Sequence, residues 1–143
     1  MISLHKIETA IATRLKNAGH IVTAAEVDEG FVKPTFFIDI FQNSVTAVNY
    51  FMEYVSVGVE LRYIPETETR EVLVDMSDKL RDLFMSSPIK VVDRYLSIYE
   101  VTFETDKTAL LCYFELEFMR ETNKKMEDSV SMENLEWEDF DLC

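Results

Sequence analysis

Two segments of the sequence alternate between apolar and polar residues, and this alternation constrains the fold more than any other feature. Between residues 55 and 63 every second side chain is apolar, and the residues between them are Ser56, Gly58, Glu60 and Arg62. Between residues 110 and 118 every second side chain is again apolar, while Glu115 and Glu117 share the opposite side. Successive side chains of a strand point to opposite faces of a sheet. Both segments therefore predict strands with one buried and one polar face.

Two other segments have the apolar spacing of amphipathic helices. The apolar stripe of the first consists of Leu4, Ile7, Ile11, Leu15 and Ala18. Gly19 follows this stripe, at a point where the end of a helix commonly requires positive φ. The second helix is predicted after Pro65, and its apolar side consists of Val72, Met76, Leu80 and Leu83. Ser86, Ser87 and Pro88 predict its end.

Short runs rich in β-branched and aromatic residues predict the strands. These runs cover residues 21–27, 35–41, 55–64, 89–92, 96–103 and 109–118. Polar residues 104–107 predict a hairpin between the last two, whereas residues 43–54 remain ambiguous between strand and loop. The sequence thus predicts an α+β fold, with two helices packed on a mostly antiparallel sheet of about six strands in the order α-β-β-β-α-β-β-β.

The composition argues against several functions. The chain has 143 residues, of which 48% are apolar, and we expect one domain with a single core. A formal net charge of −13 argues against binding to nucleic-acid phosphates or anionic membranes, because both need clustered Lys and Arg. No apolar run reaches the roughly 20 residues of a membrane-spanning helix, and the first residues do not resemble a secretory signal. We expect a cytoplasmic protein, and its two cysteines, Cys112 and Cys143, fit a reducing compartment.

Residues 121–143 differ in composition from residues 1–120, and we predict that they form an acidic C-terminal arm on a single α+β domain. The arm has eight acidic residues and two basic ones, a net charge of −6. Apolar residues lie between the acids, and the candidates for contact with a partner are Trp137, Phe140 and Leu142. An arm that becomes ordered on a partner and a frayed terminus both fit this pattern.

The sequence offers little for catalysis. Three isolated glycines form no phosphate-binding loop, and no Cys or His cluster has metal-ligand spacing. Glu115 and Glu117 project from one side of a strand at roughly 6 to 7 Å, a separation that a two-carboxylate hydrolase can use. A solvated or subunit-facing edge of the sheet explains the same pair more simply. We therefore expect no enzyme activity and no catalytic, metal or cofactor site.

The segment "VDEGFVKPTFFI", residues 27–38, predicts a closely defined turn into a buried strand. Gly30 can adopt a positive φ, and Pro34 fixes its own φ while favouring an extended conformation before it. Together they set the register in which Phe36 and Ile38 face the core and Phe37 does not. This account of the turn needs no ligand.

The same segment resembles a pattern of phage tail terminator proteins, a family also found in prophage and contractile bacteriocin clusters of Gram-positive bacteria. The residues that carry the pattern are Val27, Gly30, Phe31, Pro34, Phe36, Phe37 and Ile38. A second match is "LRYIP", in which Arg62, Tyr63 and Pro65 close the strand before the second helix. The order of predicted elements in residues 1–120 agrees as well. Where the family often has an Arg-Tyr pair in the middle strand region, this chain has "NYFMEYVSVG".

This resemblance implies a protomer that assembles into a ring, a hexamer, at the head-proximal end of a completed tail tube. Such a ring stops tube growth because its exposed top lacks the surface that would accept another ring, and in contractile systems it offers a platform where the sheath ends. The implied partners are further copies of the chain, the tail tube protein, and sheath and neck proteins. No cofactor, membrane or sequence-specific nucleic acid is implied. The implied location is the host cytoplasm during assembly, then the phage tail or tail-like particle.

Small acidic chaperones of type III secretion systems are the alternative hypothesis. They have a similar length and acidity, arrange helices and strands in a comparable order, and act as dimers that bind an unfolded effector segment. Particle mass separates the two hypotheses. A dimer of twice 16.7 kDa indicates the chaperone, and a hexameric ring indicates the terminator.

Overall fold

The computed structural model of the protein describes residues 2–24, 30–106 and 108–122. In this part of the chain two helices and seven strands follow one another. They are α1 (Leu4–Asn17), β1 (Val22–Thr23), β2 (Thr35–Ala47), β3 (Met52–Ile64), α2 (Arg70–Met85), β4 (Ile89–Val91), β5 (Arg94–Leu96), β6 (Val101–Thr105) and β7 (Leu110–Glu121). The predicted α+β class is confirmed. Neither of the two helices is long and apolar enough to cross a membrane.

Five of the strands form one sheet in the order β1-β2-β3-β7-β6. Neighbouring strands in it are antiparallel except β1 and β2, which are parallel. β4 and β5 form a separate antiparallel hairpin. The buried residues of both helices share one core with Val55, Val57, Val59, Leu61 and Tyr63 of β3. Both helices therefore cover the same face of the sheet, and we call the opposite side the outer face.

The first helix agrees closely with its prediction. Ser3 is the N-cap, and its Oγ accepts a hydrogen bond from the backbone N–H of Lys6 at 3.3 Å. Ile7, Ile11 and Leu15 are fully buried. Gly19, after the end of the helix, has a φ of +93°. Ala18 was predicted on the apolar stripe, but it is the C-cap and is exposed, because the helix ends before it.

The buried stripe of α2 differs in part from the prediction. Its buried residues are Leu73, Met76, Leu80 and Phe84, whereas Val72 and Leu83 are only partly buried. The reason is Phe84, whose ring packs on that of Phe114 at 5.1 Å between centroids and turns this side of the helix toward the sheet. Thr69 caps the helix by accepting a hydrogen bond from the backbone N–H of Val72 at 3.3 Å.

The strand predictions were right for the centre of the sheet and wrong in number. β1 holds only Val22 and Thr23 of the predicted strand 21–27, and residues 25–29 lie outside the described part of the chain. The predicted strand 96–103 spans the end of β5 and the start of β6, so the described chain has seven strands rather than six. The hairpin of β4 and β5 was missed because strands of three residues are too short to show alternation.

The ambiguous residues 43–54 belong to a long hairpin. β2 and β3 each have 13 residues. β2 continues to Ala47, β3 begins at Met52, and β2 has a bulge between Gln42 and Ser44. The side chain of Asn49 closes the turn, since its Oδ1 accepts hydrogen bonds from the backbone N–H groups of Phe51 at 2.8 Å and Met52 at 2.9 Å. This hairpin extends the sheet beyond the length predicted from sequence.

The two alternating segments form β3 and β7, the central strands of the sheet. Their apolar residues face the helices and are buried as predicted, and burial raises the pKa of the Cys112 thiol to about 12. Ser56 and Gly58 were predicted on a polar face, but both are buried. Small residues in a central strand are covered by the larger side chains of the strands on either side.

Candidate assembly surface

The loop before β2 folds over the outer face at one end of the sheet. Gly30 has a φ of +77°, and Pro34 follows a cis peptide bond. Phe31 packs edge-on against Phe37 with ring centroids 5.0 Å apart, and the guanidinium carbon of Arg62 lies 4.8 Å from the Phe37 ring centre. Phe37 is therefore only 5% exposed. Phe37 lies on the outer face and outside the helix-side core, as expected, but it is buried there because Phe31 and Arg62 cover it.

On the helix-covered face, the neighbouring residues of the same motif pack together. Phe36 and Tyr63 have ring centroids 4.8 Å apart, and the ring of His20 meets Phe36 edge-on at 5.1 Å. Burial lowers the pKa of His20, and the positive charge of Lys79 acts in the same direction. Pro65 is buried directly after the end of β3.

The motif residues that the structure describes thus meet at one end of the sheet. They are Gly30, Phe31, Pro34, Phe36, Phe37, Ile38, Arg62, Tyr63 and Pro65. Their contacts are packing contacts between the entry loop and paired residues of β2 and β3. Val27 lies outside the described residues.

An aromatic pair crosses β3 near the middle of the outer face. Phe41 of β2 is paired with Gly58 of β3, and its ring stacks on that of Tyr113 of β7 with centroids 6.1 Å apart and planes at 21°. A Cβ atom on Gly58 would lie 2.5 and 2.7 Å from two ring atoms of Phe41. Glycine therefore allows the Phe41 ring to lie across β3 and reach the third strand. The sequence pattern gave no sign of this contact, because it depends on three strands at once.

Carboxylates surround this aromatic pair. Residues directly opposite each other on neighbouring strands share a face. The pairing places six acidic residues on the outer face: Asp39, Glu60, Glu104, Glu115, Glu117 and Glu121. Arg62 is the only basic residue that the described strands of the main sheet add to that face. The outer face is therefore strongly negative.

The Glu115–Glu117 pair takes part in a hydrogen-bonded surface. The hydroxyl of Tyr113 donates to Glu115 Oε1 at 3.0 Å, and Asn43 Nδ2 donates to the same oxygen at 3.2 Å. The hydroxyl of Tyr54 donates to Glu117, and this hydrogen bond is the main cause of the raised pKa of Tyr54. Each carboxylate is thus held by a different tyrosine. A surface for subunit contact stays the simpler hypothesis for this pair.

One edge of the main sheet is largely unpaired. β1 pairs only with Phe36 and Phe37 of β2. From Ile38 to Ala47, β2 has no strand on that side in the part of the chain that the structure describes. An unpaired strand presents a row of N–H and C=O groups to any strand that approaches it. This segment of β2 is therefore a candidate edge for pairing with another chain.

The end of β2 and the turn that follows it in the same hairpin are apolar and exposed. Val45, Val48 and Phe51 are 45%, 52% and 62% exposed. Thr122 fastens this turn to the end of β7, since its backbone N–H donates to Phe51 O and its hydroxyl to Tyr50 O, both at 2.9 Å. The turn is thus an anchored apolar surface adjoining the unpaired edge.

β6 forms the opposite edge of the main sheet. It pairs with β7 through Val101 to Thr105, and the described chain places no strand on its other side. Phe103 in this strand is 36% exposed. The described sheet therefore ends in two different edges, a continuous one at β2 and a stepped one formed by β6 and by the part of β7 beyond Phe114, which β6 does not pair with.

An ion pair that sequence analysis missed holds β3 to β7 close to the apolar turn. Arg120 and Glu53 are directly paired, with Arg120 Nε and Nη2 at 2.9 and 2.8 Å from Glu53 Oε2. Arg120 Nη1 also donates to the backbone oxygen of Ile2 at 3.2 Å. The opposite charges were visible in the sequence, but the register that brings them together was not.

The residues predicted to contact a partner, Trp137, Phe140 and Leu142, lie outside the described residues. Glu121, the first residue assigned to the acidic arm, is the last residue of β7. The outer face and the two unpaired edges of the sheet are consequently the candidate assembly surface of the described domain.

A family model described as phage tail terminator protein matches residues 6–129, which is most of the chain. One solved structure is similar with a TM-score of 0.47 and 10% identity, over 87% of this chain and 99% of that chain. A likeness this weak carries no argument about function. A search of the curated proteins finds no match. On the strength of the family match, the chain belongs to the phage tail terminator family.

Proposed function

We propose that this protein forms a ring, a hexamer, that caps the head-proximal end of a tail tube and stops its polymerisation. The same ring serves as the attachment platform for sheath and neck proteins when the tail is contractile. Membership of the tail terminator family supports the general role in the tail. The finer proposal about the ring rests on the edges of the sheet.

The unequal edges of the main sheet are the observation that carries the proposal. β2 exposes the length from Ile38 to Ala47, and β6 lies at the other end of the sheet. Pairing β2 of one copy with β6 of the next uses two different surfaces. Contacts of this kind produce a ring when the rotations between successive copies add up to a full turn. Val45 at the end of β2 and Phe51 in the turn that follows are exposed and add apolar contact area to this edge.

The charge of the outer face favours an orientation in the ring. If this face lines the lumen, its six carboxylates repel the phosphates of passing DNA and prevent adhesion. The lining then needs no cofactor or chemical step. Termination is geometric, because the face of the ring turned away from the tube offers no surface for a further tube ring.

The family assignment does not favour the secretion-chaperone hypothesis. The proposal covers two kinds of particle, a phage and a contractile bacteriocin of a Gram-positive bacterium. Neighbouring genes for tube and sheath proteins would support a contractile particle.

Tube-capping can be tested with Val45→Lys and the matched control Val74→Lys. The two valines are similarly exposed, at 45% and 43%, but Val74 lies on α2 and not on the β2 edge. Lysine beside an unpaired edge opposes strand pairing. Purified tail tubes should gain a terminal ring and a defined length with the wild-type protein and with Val74→Lys, but not with Val45→Lys. Negative-stain images showing the same unrestricted tube lengths with and without wild-type protein would sink the proposal.

A further inference from the structure

A basic groove lies on the helix side of the molecule. Its charge is opposite to that of the outer face. It has a volume of about 830 Å³ and runs between α1, the end of α2 and β4. Its apolar lining includes Ala10, Leu83, Val91 and Val92. Three of the described residues that line it are basic, Lys6, Arg14 and Lys90, and none has a carboxylate. The Lys90 ammonium lies 5.8 Å from the ring centre of Tyr95. In a chain with a net charge of −13, such a groove selects for a negatively charged occupant.

The Arg14 side chain is built into the wall of this groove. Its Nη1 donates to the backbone oxygens of Leu83 at 3.1 Å and Ser87 at 2.9 Å, and its Nη2 donates to that of Pro88 at 2.7 Å. Carbonyl oxygens fix the guanidinium in place without neutralising its charge. Partial burial lowers its pKa, as expected for a cation held without an acidic partner. The positive charge of the groove is therefore a fixed property of the fold.

Val92, which lines the groove, has an unusual backbone conformation. It is the first residue of the two-residue turn between β4 and β5, and its φ is 60°. Such a φ is costly for a β-branched residue, and glycine, asparagine or aspartate is usual in these turns. The Val92 side chain is nevertheless 46% exposed, so it stabilises little within the described domain. A strained and exposed apolar residue in the lining of a groove is a candidate contact for an occupant of that groove.

We propose that this groove is the docking site for the chain's own C-terminal segment, residues 130–143. This segment carries five carboxylates and no Lys or Arg, and its apolar residues include Leu135, Trp137, Phe140 and Leu142. Carboxylates alternating with large apolar side chains complement a groove with basic walls and an apolar floor. The segment also lies beyond residue 129, where the family match ends. It is thus a feature of this chain outside the shared family region.

The connectivity favours the chain's own segment over that of a second copy. Thr122 lines a depression together with Asp93 and Arg94, and Asp93 directly follows Val92, which lines the groove. Seven residues, 123–129, connect Thr122 to the segment, and an extended chain of that length spans about 23 Å. The side of the groove that α1 forms, from Lys6 to Asn17, is about 17 Å long, which is shorter than this reach. A short tether of this kind gives the segment a high effective concentration at the groove.

The single tryptophan of the chain, Trp137, provides a direct test on the full-length protein. The emission of Trp137 should be blue-shifted, and its quenching by neutral acrylamide low, at concentrations where the protein sediments as a monomer. Lys90→Glu should shift the docking equilibrium toward the released segment by about fivefold, so that emission moves to the red and quenching rises. Added salt should act in the same direction. Lys79→Glu, an equal charge change on an exposed residue outside the groove lining, should leave both signals unchanged.

Val92→Gly separates docking from folding. Glycine adopts the φ of 60° without strain, so the thermal midpoint should stay the same or rise while Trp137 becomes more accessible. Unchanged Trp137 signals in both Lys90→Glu and Val92→Gly would overturn the proposal. Burial of Trp137 that disappears on dilution would also overturn it, and would assign the groove to the segment of a second copy. Since the test needs neither rings nor tubes, its outcome is independent of the proposed capping function.

Discussion

Single residues at the centre of the outer face show how local and long-range constraints combine. The sequence places Gly58 at a polar position of an alternating strand, where its lack of a side chain has no evident purpose. In the structure the Phe41 ring occupies the space that a side chain would fill and stacks on Tyr113. Gly30 differs, because its φ of +77° was foreseeable from the turn itself. A turn glycine is thus predictable from local sequence, whereas a glycine required by packing across strands is not.

Substitution of Gly58 should therefore be costly for a steric reason. In Gly58→Ala the new methyl group collides with the Phe41 ring, and displacing that ring should lower the free energy of unfolding by about 1–3 kcal/mol. In a Phe41→Leu background the same alanine should cost less than half as much. Urea unfolding of the two single variants and the double variant measures this coupling, and strictly additive effects would show that the ring is not the cause.

Asp106 gives a pH-dependent prediction at the same scale. Its Oδ1 accepts hydrogen bonds from the backbone N–H groups of Thr108 at 2.7 Å and Ala109 at 2.8 Å, and these bonds lower its pKa from 3.8. Because the pKa of Asp106 is lower in the folded state, its charged form stabilises the fold at any pH above the unfolded-state pKa. This stabilisation is lost as the pH falls below 3.8 through the folded-state value. Asp106→Asn should consequently be less stable than wild type at neutral pH, and the difference should shrink in acid. Urea unfolding across this pH range tests it, and a constant difference would contradict it.

At the scale of whole elements, prediction succeeded where burial follows a period. β3 and β7 alternate because each is covered by helices on one face, so their buried residues could be found from sequence, although both strands extend three residues further than predicted, to Met52 and to Glu121. The half of β2 beyond Ile38 could not be predicted from sequence, because its residues are partly buried or exposed and show no burial period. Pairing with β3 holds them as a strand. The edge that carries the proposed ring contact lies in this half. The candidate site was therefore predictable at the entry loop, where Gly30 and Pro34 leave local signals, and at Glu115 and Glu117, but not along the β2 edge.

The Arg120–Glu53 pair should stabilise the far end of β3 and β7. The side chains of Arg120 and Glu53 are 15% and 19% exposed, so removing one charge leaves the other mostly buried without its partner. Glu53→Gln should lower the free energy of unfolding by about 3 kcal/mol. The matched control is Asp82→Asn, which removes an exposed ion pair with Arg81 and should change stability by less than about 1 kcal/mol. Equal effects of the two substitutions in urea unfolding would contradict this account.

At the scale of the whole molecule, the fold separates two surfaces of opposite electrostatic character. The outer face of the sheet is acidic and reaches an edge strand on each side of the described sheet, whereas the helix side contains the basic groove. A sheet covered on one face only leaves both its edges and its second face available for contacts between copies. This arrangement fits the proposed ring, and it leads to a prediction about the contact between its copies.

The ring contact should be head-to-tail, joining β2 of one copy to β6 of the next. Val45→Lys impairs the β2 edge and Phe103→Lys the β6 edge, so each variant alone should fail to form rings. An equimolar mixture still has one intact pair of edges, β6 from the first variant and β2 from the second. Because neither copy of that pair can extend further, the mixture should yield 1:1 dimers of twice 16.7 kDa and nothing larger. A symmetric β2–β2 contact predicts the opposite result, in which Phe103→Lys assembles like wild type and the mixture forms no new species. Sedimentation velocity of each variant and of the mixture distinguishes the two, provided that thermal unfolding shows both variants to be folded.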